Sequence, residues 1–137
     1  MFALKTYLVE DSPLIRQSLI DTLEELVPVK VVGSAEDELA AVQWLTQPGN
    51  RFDLVIVDLF LKSGSGMGVL RAVAALKKRH YIVVLSNYAT KDIRRKCLEL
   101  GADCVFDKSN EIDALILYCD ALADSLKGCT TDFGVLS

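Results

Sequence analysis

Four short hydrophobic runs of the sequence each end at polar side chains that could perform phosphoryl chemistry. Glu10 and Asp11 follow LKTYLV, Asp58 follows FDLVIV, Ser86 follows YIVVL, and Lys108 follows CVFD. If these runs are parallel strands of one sheet, their carboxyl ends meet at one edge, and open α/β sheets bind ligands at that edge. An acid pair, a lone Asp, a hydroxyl and a Lys at such an edge predict a Mg²⁺-dependent phosphoryl site.

Asp58 is the candidate nucleophile of this site. It ends the most apolar of the runs, and a carboxylate in that position can attack phosphorus to form an aspartyl phosphate. A carboxylate at the start of a loop can also cap nearby backbone amides. For Asp58 taken alone, both interpretations stay open.

The acid pair favours the catalytic interpretation, because adjacent carboxylates near a third one repel each other unless a cation lies among them. Mg²⁺ prefers oxygen ligands and typically takes one or two carboxylates together with waters. We expect Asp11 and Asp58 to bind the ion directly and Glu10 to bind it through a water. The backbone carbonyl of Phe60 is the expected further ligand. Stabilisation by the dipole of the following helix explains one acid better than two.

Lys108 supplies the expected counter-charge, because a Lys at the end of a buried strand is costly unless it is paired. We expect its ammonium group to hold Asp58 and then a phosphoryl oxygen, although a Lys on a surface loop is the alternative. The Ser86 hydroxyl could donate to the phosphoryl group. None of these residues is decisive alone, whereas the combination is specific.

The elements that must position these residues alternate regularly along the chain. Strands are expected at about 4–9, 29–33, 53–57, 81–85 and 103–106, with helical spacing between them. Ser12 and Thr90 are expected to begin the first and fourth helices, and Gly101 to end the fourth. Five strand–helix units predict one parallel sheet covered by helices on both faces. Residues 1–127 are expected to form one domain, followed by a short C-terminal tail at 128–137.

The composition is that of a globular protein. The 137 residues are 51% hydrophobic and 25% charged with a net charge of −4, which excludes a disordered chain and argues against nucleic acid as the main partner. No run is long enough to span a membrane, so we expect a soluble, cytoplasmic protein. The basic run 77–80 is expected to complement a helix C-terminus. Arg94–Lys96 is expected to be a solvated helix face that could also meet an acidic partner.

At these motifs the chain resembles the receiver domain of bacterial two-component response regulators. The resemblance covers about residues 4–127 and rests on VEDS (9–12), VDLFLKSGSG (57–66), VVLSNYA (83–89) and GADCVFDKS (101–109). It implies a doubly wound, flavodoxin-like α/β fold of five helices around a sheet in the order 2-1-3-4-5. It would make Asp58 the phosphoacceptor, Glu10 and Asp11 the metal acids, Ser86 the switch hydroxyl, Lys108 the family's lysine, and Gly66 the loop glycine.

The resemblance also implies partners and a mode of action. The phosphoryl donor would be a phosphohistidine on a sensor histidine kinase or a histidine phosphotransfer protein. The chain would promote only its own phosphorylation and dephosphorylation, rather than act as an enzyme on other substrates. With only a short tail after the fifth helix, we expect a stand-alone receiver that binds an unidentified effector protein. A homodimer through the fourth helix, fifth strand and fifth helix is a further arrangement that the family suggests.

Three departures from the family pattern bear on signalling. Val105 stands where the family usually has an aromatic switch residue, and neighbouring Phe106 should face the other side of the sheet. We therefore expect signalling through backbone shifts near Ser86 and Thr90, with Tyr88 as the candidate moving ring.

Ser109 stands where the family usually has proline, commonly after a cis bond, so a trans Lys108–Ser109 bond is expected, since a cis bond before a non-proline residue costs about 3–4 kcal/mol. Phe60 and Tyr88 follow Asp58 and Ser86 by two residues, where the family tunes hydrolysis, and predict slow loss of the phosphoryl group.

Other functions are compatible with parts of this pattern. A phosphatase of the haloacid-dehalogenase type needs a second Asp two residues after the nucleophile, where this chain has Phe60. A flavodoxin-like cofactor binder needs a phosphate loop after the first strand, where this chain has the acidic segment EDSPLI. A receiver that acts as a scaffold without phosphorylation is the more serious alternative. The complete site argues against it, and the missing switch aromatic argues for it.

Overall fold

Ten alternating strands and helices form the described part of the protein. The computed structural model describes residues 2–76 and 80–136, with side chains as far as residue 127. The strands are β1 (Leu4–Val9), β2 (Val29–Ala35), β3 (Leu54–Asp58), β4 (Tyr81–Ser86) and β5 (Cys104–Asp107). The helices are α1 (Pro13–Leu26), α2 (Glu38–Leu45), α3 (Gly66–Ala74), α4 (Lys91–Glu99) and α5 (Ile112–Leu136). All pairings are parallel in the order β2-β1-β3-β4-β5, which confirms the predicted fold class and strand order.

The sheet is buried on both faces, which explains why its strands are continuous apolar runs. Along β3, Val55 and Val57 belong to the core that packs under α2, α3 and α4. Leu54 and Ile56 belong to the opposite core, under α1 and α5. The strand period of two therefore divides β3 between two helical layers.

The local signals at the helix ends act as predicted. The Ser12 hydroxyl accepts a hydrogen bond from the Ile15 amide at the start of α1, and Thr90 caps α4 in the same way. Gly101 adopts a φ of +109° just after α4, a conformation that favours glycine.

Helix α5 is longer than predicted. It runs to Leu136, so residues 128–136 continue the helix where a tail was expected. Gly128 weakens a helix by only about 1 kcal/mol relative to alanine, and no proline follows to stop it. Most of the predicted basic run, at residues 77–79, lies outside the described residues. Within the described chain, no helix is long and apolar enough to cross a membrane.

The register of the sheet brings the strand ends to one edge. Val9 pairs with Val57, and Asp58 pairs with Leu85. Ser86 in turn pairs with Asp107, and its carbonyl accepts a hydrogen bond from the Lys108 amide at 2.9 Å. The polar residues that follow these strands are therefore neighbours at the carboxyl edge, as their positions in the sequence predicted.

Candidate functional site

Lys108 lies at the centre of the polar cluster at this edge. Its Nζ is 2.5 Å from Glu10 Oε1 and 2.9 Å from Asp58 Oδ2. The side chains of Lys108 and Asp58 are each 9% exposed, and that of Glu10 is 2% exposed. One nearly buried ammonium group therefore bridges the ends of β1 and β3, and the surface-loop alternative for Lys108 is wrong.

Burial and ion pairing shift the pKa values of Glu10 and Lys108. Burial raises the pKa of Glu10, against the opposing hydrogen bonds from Lys108 and from the Ser12 amide. Burial alone would lower the pKa of Lys108, but its hydrogen bonds and charge interactions with Glu10 and Asp58 outweigh this and raise it. Lys108 is accordingly held as an ammonium ion.

Three carboxyl groups at this edge of the sheet form a candidate metal centre. One oxygen each from Glu10, Asp11 and Asp58 lies within 4.8 Å of the others. The Lys108 ammonium contacts two of these carboxyl groups, Glu10 and Asp58, so the three oxygens keep room for a cation, and hard oxygen donors of this kind suit Mg²⁺. The residues present therefore fit the ion that the sequence predicted.

The loop after β3 is tied to the cluster through its backbone. The Phe60 amide donates to Asp58 Oδ1 at 3.2 Å, and the Lys62 amide donates to Asp11 Oδ2 at 2.8 Å. Asp58 thus does cap a backbone amide, as the capping interpretation predicted, but it also accepts from Lys108 and lies near the other two acids. Both interactions coexist, because Oδ1 accepts from the Phe60 amide and Oδ2 accepts from Lys108.

Ser86 is fully buried at the end of β4. Its hydroxyl accepts a hydrogen bond from the Tyr88 amide at 3.0 Å. A hydroxyl can accept and donate at the same time, so this bond leaves the proton of Ser86 for another acceptor.

Two exposed aromatic rings connect the loops that follow Asp58 and Ser86. Phe60 is 52% exposed and Tyr88 is 63% exposed. Their ring centroids are 5.2 Å apart and the planes meet at 81°, an edge-to-face arrangement that aromatic pairs prefer. The spacing of the two residues in the sequence predicted their location but not this contact.

The departures from the family pattern are visible in β5 and just after it. Val105 packs in the core beneath α4, whereas Phe106 faces the opposite core and contacts the Tyr118 ring at 6.0 Å. The two side chains point to opposite faces, as the strand period predicted. The Lys108–Ser109 peptide bond is trans, as predicted, like every other peptide bond in the described chain.

Arg94 is a residue whose role the sequence analysis missed. Its side chain is 36% exposed, and its guanidinium group donates to the Ala89 carbonyl at 3.0 Å, the Val105 carbonyl at 2.7 Å and Glu111 Oε1 at 2.6 Å. It thereby joins the loop after β4, strand β5 and the start of α5. The hydrogen bond from Arg94 lowers the pKa of Glu111. No spacing in the sequence distinguishes Arg94 from Arg95, which is 71% exposed.

Comparison with known proteins agrees with this fold. The family model described as the response regulator receiver domain matches residues 6–120. The chain belongs to the response regulator receiver family. It is 28% identical over 95 residues to the response regulator UvrY of Escherichia coli K12, covering 69% of this chain and 43% of UvrY.

Two further relatives extend the comparison. The protein-glutamate methylesterase/protein-glutamine glutaminase 2 of Cupriavidus pinatubonensis is 28% identical over 130 residues, covering 93% of this receiver and 36% of the relative. A crystal structure of a Burkholderia pseudomallei response regulator with a phosphorylated aspartic acid, calcium ion and citrate has a TM-score of 0.72 at 20% identity, covering 91% of this chain and 71% of that one. The receiver thus spans less than half the length of both curated relatives.

Proposed function

We propose that this receiver accepts a phosphoryl group from a phosphohistidine onto Asp58 and signals through phosphorylation-dependent binding of a partner protein. The observation that supports this most is the seating of Lys108 between Glu10 and Asp58, with Asp11 beside them. A nearly buried carboxylate that is exposed to solvent at one edge and held by an ammonium is poised to act as a nucleophile.

In the proposed reaction a carboxylate oxygen of Asp58 attacks phosphorus. A P–O bond forms and the P–N bond to the donor histidine breaks. The ring, whose other nitrogen carries a proton, takes the electron pair of that bond and leaves as a neutral imidazole. The Lys108 ammonium then shifts its contact from the carboxylate to a phosphoryl oxygen. The Ser86 hydroxyl turns its proton towards another phosphoryl oxygen. Both donors are positioned before reaction by the bonds already described.

A divalent cation fits the acid cluster of this receiver. Asp11, Asp58 and the Phe60 carbonyl would hold Mg²⁺ directly, and Glu10 would hold it through a water. When bound, the ion would neutralise charge that develops on the phosphoryl oxygens during transfer. The Burkholderia pseudomallei structure, which shares this fold, contains both a phosphorylated aspartic acid and a calcium ion.

Intact-mass measurement after incubation with Mg²⁺ and a small acyl phosphate tests the proposed phosphorylation. We expect the wild-type receiver to gain one phosphoryl group and Asp58→Asn to gain none. Asp120→Asn, which alters an exposed carboxylate on α5, should gain the group like the wild type. A wild-type receiver that gains no mass but still binds its partner would favour the scaffold function instead.

A groove beside the site suits a phosphohistidine-bearing partner. It has a volume of about 430 Å³, and Leu14, Ile15 and Ile112 contribute apolar walls while Lys108 borders it. Leu14 is 81% exposed. A sensor histidine kinase or histidine phosphotransfer protein seated on this groove would lie next to Asp58. If the receiver takes its phosphoryl group from such a donor, we expect it to be in the cytoplasm.

The surface formed by α4, β5 and α5 is the proposed readout. Arg94 joins this surface to the loop between Ser86 and Thr90, so movement of the Ser86 hydroxyl towards a phosphoryl group would be transmitted without an aromatic side chain at position 105. An effector protein or a second copy of the receiver would bind there. Backbone shifts near Ser86, with Tyr88 as the moving ring, remain the proposed mechanism.

Hydrolysis of the aspartyl phosphate should be slow. The Phe60 and Tyr88 rings contact each other between their loops, and there they would hinder the approach of a water molecule to the phosphorus atom. Replacing Phe60 by Asn opens that approach and adds polar groups that can orient water. We expect Phe60→Asn to lose the phosphoryl group about tenfold faster, which corresponds to about 1.4 kcal/mol of barrier. Tyr88→Phe keeps the ring and should decay like the wild type. Loss of the group from the wild type within seconds would contradict this prediction.

A further inference from the structure

We propose that Glu38 is a positioning residue for the phosphorylation site. It holds the loop after Asp58 so that the Phe60 carbonyl is presented to the divalent cation. This inference rests on the proposed function, because it concerns the same site. Glu38 lies on another element, at the first position of α2, and does not belong to the acid cluster.

Glu38 makes two hydrogen bonds to the loop that follows β3. Its Oε1 accepts from the Ser65 amide at 2.8 Å, and its own amide donates to the Ser63 carbonyl at 3.3 Å. The side chain is half-buried between α2 and the start of α3. It therefore holds the end of the loop at a helix N-terminus, where a negative charge is favoured.

Two glycines form the space that the Glu38 side chain occupies. A Cβ atom on Gly64 would lie 2.5 Å from Glu38 Cβ, and one on Gly68 would overlap Glu38 Oε2. Gly64 also has a φ of +79°, which favours glycine in any case. Gly68 has no such backbone requirement. We infer that a glycine is needed there because the Glu38 carboxylate occupies the space that a side chain would fill.

The hold on Ser65 reaches the site through the backbone. Ser65 pairs with Phe60 in an antiparallel bridge, and the Gly66 amide donates to the Leu59 carbonyl at 2.9 Å. The Phe60 amide in turn donates to Asp58. Fixing Ser65 therefore fixes the Leu59–Phe60 peptide and, with it, the Cα atom of Phe60 from which the expected metal-binding carbonyl extends. Residues that orient metal ligands in this way typically change metal affinity by about 10–100-fold when they are replaced.

Glu38 holds the loop from outside the acid cluster, at Ser63 and Ser65. The bonds from the Phe60 amide to Asp58 and from the Lys62 amide to Asp11 also hold this loop, but Asp58 and Asp11 are themselves expected metal ligands. Glu38 remains available to hold the loop when a cation binds Asp11.

Calorimetric titration of Mg²⁺ into the full chain tests this inference independently of phosphorylation. We expect Glu38→Ala to bind Mg²⁺ at least about tenfold more weakly than the wild type, and Glu38→Gln, which keeps an oxygen acceptor for Ser65, to bind much more tightly than Glu38→Ala. Gly68→Ala should reproduce the loss by displacing the carboxylate. Alanine favours a helix over glycine, so this loss would not reflect a weaker α3. Glu25→Ala, an exposed change on α1, is the control.

The double variant separates this role from general damage. If Gly68→Ala acts only by displacing Glu38, the variant carrying both changes should bind Mg²⁺ no more weakly than either single one. Wild-type affinity in Glu38→Ala, or two losses that simply add, would overturn the inference.

The proposed function can fail separately: the wild type would then bind Mg²⁺ with the expected dependence on Glu38 but gain no phosphoryl group. A wild type that binds no Mg²⁺ would overturn the inference.

Discussion

Replacing Lys108 by Met should lower the free energy of unfolding by about 3–5 kcal/mol in the absence of divalent cations. The ammonium bridges Glu10 and Asp58, and all three side chains are at most 9% exposed. Removing one partner of a buried ion pair leaves uncompensated charge, and losses of this size are typical. Methionine retains much of the volume of the lysine side chain, so little of the loss should come from a cavity. Urea denaturation at neutral pH with a chelator present measures it.

Added Mg²⁺ should restore more stability to Lys108→Met than it adds to the wild type. In the variant the cation would supply the charge compensation that Lys108 gives to Glu10 and Asp58 in the wild type. Lys30→Met, an exposed change on β2, should alter stability by less than about 0.5 kcal/mol under both conditions. If Lys108→Met were no less stable than Lys30→Met, the buried bridge would have no energetic importance.

Replacing Gly66 by Ala should damage both the fold and the site. A Cβ atom at Gly66 would overlap the Asp58 carbonyl oxygen and lie 2.7 Å from Leu59 Cα and 2.9 Å from Val57 Cγ1. Two of these neighbours are backbone, so relief requires the end of β3 to move away from α3. Overpacking of this kind costs about 1–3 kcal/mol, and we expect the upper end. Because Asp58 moves with its backbone, phosphorylation by an acyl phosphate should also slow.

Gly49→Ala is the matched control, since a Cβ atom there has no neighbour within 4 Å. It should unfold at the same urea concentration as the wild type and be phosphorylated at the same rate. A Gly66→Ala variant that behaves like Gly49→Ala in both measurements would show that α3 can shift freely against β3. Loss of stability without any loss of phosphorylation would show that the site tolerates this movement.

Much of the architecture could be predicted from local patterns because those patterns have local causes. The alternation within a strand placed Val105 and Phe106 on opposite faces. The energetic cost of a cis bond before a non-proline residue predicted the trans Lys108–Ser109 bond. The end of α5 was predicted wrongly, since Gly128 lowers helix propensity without stopping a helix.

The convergence of Glu10, Asp58 and Lys108 was predictable for a related reason. Asp58 is the last residue of β3, and Glu10 and Lys108 directly follow β1 and β5. Parallel strands place their carboxyl ends at one edge whatever the details of packing. The sequence by itself therefore determined the strand order expected of the family, the edge that carries the site, and the residue types gathered there.

Only the tertiary structure decided how that edge is supported. The bond from Ser65 to Glu38 and the three bonds of Arg94 each join residues on different elements. Such contacts depend on how each helix is rotated and seated against the sheet, which the period of 3.6 residues does not specify. The same holds for the edge-to-face contact of Phe60 with Tyr88, because two loops of independent conformation must meet to form it.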